Sequence, residues 1–170
     1  MAFSIDTFNT ALAGGIRPNQ FSIEITAPPN GISLTNFSTL CKAGAVPGMT
    51  IGVIEVPYRG RRVKYPGDRT FAEWTVTVIN QRDQAIRAAF ESWSSFTSNL
   101  DFTTDAISAK TSDNYKTNID IKQLKDDGSV IRTYTLKEAF VVDVGAIELS
   151  YDSTDAIEEF TVTFQYSYFI

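Results

Sequence analysis

Five cations stand within eleven positions of one another: Arg59, Arg61, Arg62, Lys64 and Arg69, with Asp68 the single acid among them. A cluster of this kind is equipped to hold an anion, either phosphate or carboxylate. The opposite charge gathers at the other end of the chain. After Lys137 no basic residue follows, whereas Glu138, Asp143, Glu148, Asp152, Asp155, Glu158 and Glu159 are all acids. Overall, 15 basic residues face 20 acidic ones, a formal net charge of −5. The cluster therefore has three readings. It is a solvated arm whose charges keep a strand edge from aggregating. It binds phosphate, although only Tyr58 and Tyr65 are interleaved to stack on bases. Or it pairs with an acidic surface on a second copy of the chain. Unlike patches at different places on one subunit favour head-to-tail contact, which builds rings or filaments. The charge pattern favours the third reading and leaves the other two open.

Other combinations that could do chemistry are weak. Histidine is absent, which removes the commonest general base, the usual zinc ligand and the Ser-His and Cys-His pairs. No glycine-rich phosphate loop, nucleophile elbow or cofactor fingerprint occurs, so neither a catalytic site nor a cofactor is expected. Asp126-Asp127-Gly128 lacks the alternating acids and terminal Glu of a calcium loop and reads as a hairpin turn. Glu158 and Glu159 are sequence neighbours, which on a strand point to opposite faces, so they suit a surface rather than a catalytic dyad. Cys41, the single cysteine, reads as a small buried apolar residue. The Asn36-Phe37-Ser38 sequon carries little weight without a secretory leader, and none is recognisable in the first 15 residues. No apolar run approaches the roughly 20 residues of a membrane span.

The elements that must position these groups are mostly strands. A length of 170 residues with 43% hydrophobic content suits a single domain, 1–170, with a real core. Ile5, Phe8 and Leu12 have helical spacing, and Gly14-Gly15 stops the helix. Phe21, Ile23 and Ile25 alternate as in a half-buried strand, and Pro28-Pro29-Asn30-Gly31 predicts a turn into a second strand reaching about Cys41. Residues 45–69 mix β-formers with prolines and glycines, which predicts an irregular hairpin arm with Arg59-Gly60 near its tip. Trp74, Val76 and Val78 mark the inner face of a strand. Asn80 is placed to cap a helix over about 81–95, with Asp83 and Arg87 as an i, i+4 pair and Ile86, Ala89, Phe90 and Trp93 as its apolar stripe. Ser94 to Thr117 reads as a polar loop. TNIDIKQL and SVIRTYTL flank the Asp126-Asp127 turn, EAFVVDVGAIELSY forms another strand, and the last strand sets Phe160, Val162, Phe164, Tyr166 and Tyr168 on one face. The sum is a mainly β protein, a β-sandwich or barrel with one packed helix.

Several motifs resemble the tail tube proteins of contractile-tailed, T-even-type bacteriophages. They are Arg17-Pro18-Asn19 with Phe21, Cys41-Lys42-Ala43 with Ala45 and Pro47, and above all Gly67-Asp68-Arg69-Thr70-Phe71 followed by Trp74-Thr75-Val76-Thr77-Val78. The helix with Trp93 fits, as do Asp152-Ser153, Ile157, Phe160, Val162 and Thr163, in the family's order over nearly the full length. The resemblance implies two crossed antiparallel sheets with a flanking helix and a projecting hairpin arm. It implies hexameric rings stacked into a hollow tube inside a contractile sheath, with sheath, baseplate and terminator proteins as partners. It further implies a non-enzymatic virion component, assembled in the host cytoplasm, whose lumen passes DNA without binding it and which does not insert stably into a membrane. Arg59, Arg61, Arg62, Lys64, Asp68 and Arg69 become candidates for contact between subunits or rings. Glu148, Asp152, Asp155, Glu158 and Glu159 become candidates for the lumen or a subunit joint. A phage-derived injection machine that delivers protein through a similar conduit, and a nucleic-acid-binding β-domain, are the alternatives.

Overall fold

The structure, a computed structural model, describes residues 4–98 and 115–170. Nine strands make up most of its regular structure: β1 (Phe21–Thr26), β2 (Cys41–Gly44), β3 (Thr50–Tyr58), β4 (Arg61–Thr70), β5 (Trp74–Ile79), β6 (Thr117–Leu124), β7 (Val130–Val144), β8 (Glu159–Gln165) and β9 (Tyr168–Phe169). Helix α1 spans Ile5–Leu12, α2 is a single turn at Phe37–Leu40, and α3 runs Ala85–Thr97. All strand pairs are antiparallel.

The long strand β7 belongs to two crossed sheets. Its first part pairs with β6, and beyond it lies β1; its last part, Phe140–Val144, pairs with β8, followed by β5 and β2. The change of partner falls between Ala139 and Phe140, just past Glu138, a non-glycine residue with φ of +57°. A local bend there lets one strand change sheets, as corners of packed sheets require. The chain after β8 turns at the same corner: Ser167 N–H donates to the Lys137 carbonyl (3.0 Å), and β9 then joins the first part of β7. Ser167 Oγ donates to the Glu138 carboxylate at 2.5 Å and Lys116 Nζ approaches it at 3.3 Å. These two donors, Ser167 first, hold the Glu138 carboxyl below its ordinary pKa.

Inner faces of both sheets meet in one core. Ile23, Ile119, Ile121 and Leu136 come from the first sheet, and Trp74, Val76, Val78, Val141, Phe160, Val162 and Phe164 from the second. Helix α3 covers them with Ile86, Ala89, Phe90 and Trp93, the stripe expected from the sequence. Trp93 is fully buried, packs edge-on against Phe164 (5.9 Å) and donates its indole N–H to the Tyr115 carbonyl.

Several local expectations are corrected. The stretch between the prolines and Cys41 is not a strand, and β2 starts only at Cys41. Pro29–Gly31 forms a 3-10 turn, and α2 then inserts Phe37 into the core, 5.6 Å from the Phe90 ring. Consecutive prolines supply no N–H for a ladder, and β1 finds its partner in β6 instead. Asn80 does not cap α3. Gln84 occupies that position in the left-handed region, while Asn80 N–H and Nδ2 donate to the carbonyl and carboxylate of Glu158 (2.8 and 2.9 Å). Arg87 pairs with Glu91 at 2.8 Å rather than with Asp83, whose carboxylate accepts from Ala85 N–H. Of EAFVVDVGAIELSY only the part to Val144 is strand, as the end of β7. Tyr168 leaves the inner face, because the chain breaks after β8, and is 46% exposed. Of the polar loop predicted for Ser94–Thr117, Ser94–Thr97 is helical and 99–114 lie outside the described residues.

Candidate assembly surfaces

The basic cluster lies on a hairpin of its own. Among the described residues β3 and β4 pair only with each other, in a two-stranded sheet separate from the core sheets. The turn is Arg59-Gly60, both at positive φ (+45° and +80°), as a two-residue I′ turn requires. At the base, Trp74 Nε1 donates to the Ala45 carbonyl at 2.6 Å, tying the segment before β3 to the core. A register shift between Ile51 and Val53 brings Gly67 against Gly52. A Cβ at Gly67 would stand 3.2 Å from the Gly52 carbonyl carbon and oxygen.

Register divides the hairpin into two unlike faces. Cross-strand partners share a face, so Tyr58 with Arg61, Val56 with Val63 and Ile54 with Tyr65 form one, and Pro57 with Arg62, Glu55 with Lys64 and Val53 with Pro66 the other. The second face is partly neutralised within the hairpin, one carboxylate serving two cations. Glu55 pairs with Arg62 at 2.8 Å and with Lys64 at 3.7 Å. The Arg59 guanidinium lies 5.5 Å from the centre of the Tyr58 ring. Arg59, Arg61 and Arg69 make no ion pair among the described residues and are the cations left for an outside partner. Asp68 is exposed near the bulge. The first face is apolar and bare, with Ile54, Val56, Tyr58, Val63 and Tyr65 all exposed. Reasoning from charge overlooks it, yet the alternation in VPYRGRRVKY carries the signal, apolar and basic residues taking turns at period two.

The candidate acids fall into two groups. Glu158 and Glu159 are tied down, the first by Asn80 and the second by Lys42 Nζ at 2.5 Å. Glu148, Asp152 and Asp155 stand exposed on the irregular segment 145–158, together with Leu149, Tyr151 and Ile157. Sequence reasoning misses Leu149 and Tyr151 because they sit in a run that reads as strand. A further bare apolar stripe, Ile5, Phe8 and Leu12, lies on α1.

Remaining candidates take structural places. Asp127 accepts from Ser129 N–H in the β6–β7 turn, and its contacts with Ser129 hold its carboxyl below the ordinary range. Burial pushes the Cys41 thiol up to about 11. Among the described residues no group of three or more acids or thiols is placed to hold a metal ion, and no helix is long and apolar enough to cross a membrane.

The two-sheet β protein thus carries a separate hairpin and several exposed apolar surfaces, the kind of surface that marks interaction sites. Comparison with known proteins gives the class. The sequence model described as phage tail tube protein matches residues 16–170. The tail tube protein gp19 of Enterobacteria phage T4 is 30% identical over 167 residues, covering 96% of this chain and 98% of that one. The tail tube protein of Serratia phage KSP90 is 25% identical, with 96% and 94% covered. The fold is similar to that in the sheath-tube complex of an extracellular contractile injection system in its extended state. There the TM-score is 0.63 at 17% identity, with 99% of this chain and 97% of that chain covered. The chain belongs to the phage tail tube protein family, and it is a structural subunit rather than an enzyme.

Proposed function

We propose that copies of this chain close into hexameric rings and that the rings stack into the hollow tube of a contractile phage tail. The hairpin of residues 45–69 reaches from one ring to the next. One observation carries this reading: a two-stranded sheet detached from the core presents both faces to solvent on a chain of a tube-forming family. Sheath surrounds the tube, and baseplate and terminator proteins bound its ends. The subunits assemble in the host cytoplasm, and the genome leaves through the lumen. A subunit of net charge −5 suits that passage, since duplex DNA carries about one charge per 1.7 Å and an acidic wall does not retain it.

Two of the hairpin's three unpaired cations, Arg61 and Arg69, meet carboxylates of a neighbouring subunit. Arg62 is the poorer test, because it already serves Glu55 within the hairpin. Arg61→Glu with Arg69→Glu is expected to abolish tubes in negative-stain images while circular dichroism of the free subunit stays unchanged. Normal polymerisation of this variant across a range of salt concentrations would overturn the pairing.

The fold shared with an injection-system tube supports a second reading, a conduit for protein cargo. Higher identity to the phage proteins favours the phage tail. Capsid and packaging genes beside this one separate the two. Nucleic-acid binding by the hairpin predicts a salt-sensitive mobility shift with free subunits, and its absence at low salt removes that reading.

A further inference from the structure

We infer that segment 145–158 of one subunit is the seat on which the hairpin of another subunit docks, through a contact apolar at its centre and ionic at its rim. This deepens the stacking reading above and rests on it. Exposed ion pairs are weak and screened by salt, so the arginines alone make a poor joint. The hairpin adds the bare apolar face of Ile54, Val56, Tyr58, Val63 and Tyr65, with Arg61 beside Tyr58 at its tip.

Segment 145–158 matches that face in both respects. It carries four acids, Glu148, Asp152, Asp155 and Glu158, and no base, whereas β3, the turn and β4 carry five bases and two acids. Between its acids it holds Leu149, Tyr151 and Ile157 almost wholly in solvent, at 81%, 105% and 74% exposure. Acids alone would serve a wall that DNA slides past. Three large apolar side chains held in water point instead to a surface that assembly covers.

The seat is anchored at both ends. Gly145 N–H donates to the Thr161 carbonyl at 2.7 Å, Arg87 donates to the Gly145 carbonyl at 3.1 Å, and Ile147 packs against the core. At the far end Asn80 holds Glu158 by two hydrogen bonds. A fixed acidic-apolar platform and a basic-apolar hairpin are different patches of one chain. Their contact is heterologous and repeats without limit, as a growing stack needs.

Disulfide trapping between separately made variants tests the joint. Val63→Cys and Leu149→Cys subunits are mixed, assembled, imaged and oxidised; buried Cys41 stays out of reach. The expected result on a non-reducing gel is a band at twice the 18.8 kDa subunit mass, from mixed tubes and from neither variant alone. Tyr65→Cys with Tyr151→Cys provides a second pair should the first disturb assembly. Tubes that yield no mixed dimer with either pair overturn the inference and leave stacking intact, as does a dimer of Val63→Cys with itself. An unmodified chain that forms no tubes removes the stacking reading, and this inference with it.

Discussion

Gly145 is the position where one added methyl group should do the most damage. It opens the acidic segment and lies against β8, and a Cβ there would stand 2.4 Å from Thr161 Oγ1, 3.1 Å from its carbonyl oxygen and 3.3 Å from its nitrogen. Two of these three neighbours are backbone atoms of a strand paired on both sides, so they cannot swing away. Overpacking of this kind costs about 1–3 kcal/mol. For a domain of this size about 1 kcal/mol corresponds to roughly 2–4 °C in Tm, so Gly145→Ala should melt about 2–12 °C below the parent chain by circular dichroism. Adding Thr161→Ala removes the closest contact but not the two backbone ones, so the double variant should recover only part of the loss. Gly44 is the control. A Cβ there would come within 2.7 Å of Ile23 Cδ1, the movable end of a side chain, and Gly44→Ala should cost less. A Gly145→Ala melting point within about 1 °C of the parent, or a larger effect at Gly44, would show that the β8 backbone does not set the cost.

Three other outcomes can be checked on the free subunit. Trp93→Ala removes a fully buried indole and the hydrogen bond it makes to Tyr115, and denaturant titration should show a loss of about 3–5 kcal/mol. Cys41, with its thiol pushed up to about 11, should resist alkylation at neutral pH in the folded chain and react on unfolding; labelling at the rate of a free thiol would contradict its burial. The Glu138 carboxyl titrates below its unfolded value, so its contribution is present above the ordinary carboxylate range and is lost as pH falls through the depressed folded value. Between about pH 5 and pH 3 the parent chain should therefore lose more thermal stability than Glu138→Gln, and parallel pH profiles would remove the claim.

Periodicity makes much of the fold readable from the sequence. Alternation in Trp74–Ile79 and the stripe of α3 each bury one set of side chains, and burial is what these patterns record. The hairpin turn is legible because Arg59-Gly60 separates two β-forming runs. Long-range partners are not legible. Asn80 has the chemistry of a helix cap, but Glu158, distant in sequence, claims both its donors. Residues 145–151 have the composition of a strand, yet a strand needs a neighbour to complete its hydrogen bonds. Past the Gly145 bond to Thr161 no strand pairs with them among the described residues, and they remain irregular. Charge counting finds the hairpin and the acidic third but not their apolar side chains. Alternation puts charge on one face and hides what the other face does until register is known.

If this chain is a tube subunit whose rings are joined through the hairpin, removing the hairpin should stop growth at the ring. Negative-stain imaging of the purified chain, beside a version with residues 51–69 replaced by a short glycine turn, decides the matter. Tubes with a regular axial repeat are expected from the full chain, and nothing longer than single rings from the shortened one. A full chain that stays monomeric at every concentration and salt, or a shortened chain that builds tubes of normal length, would contradict the hairpin's role in joining rings.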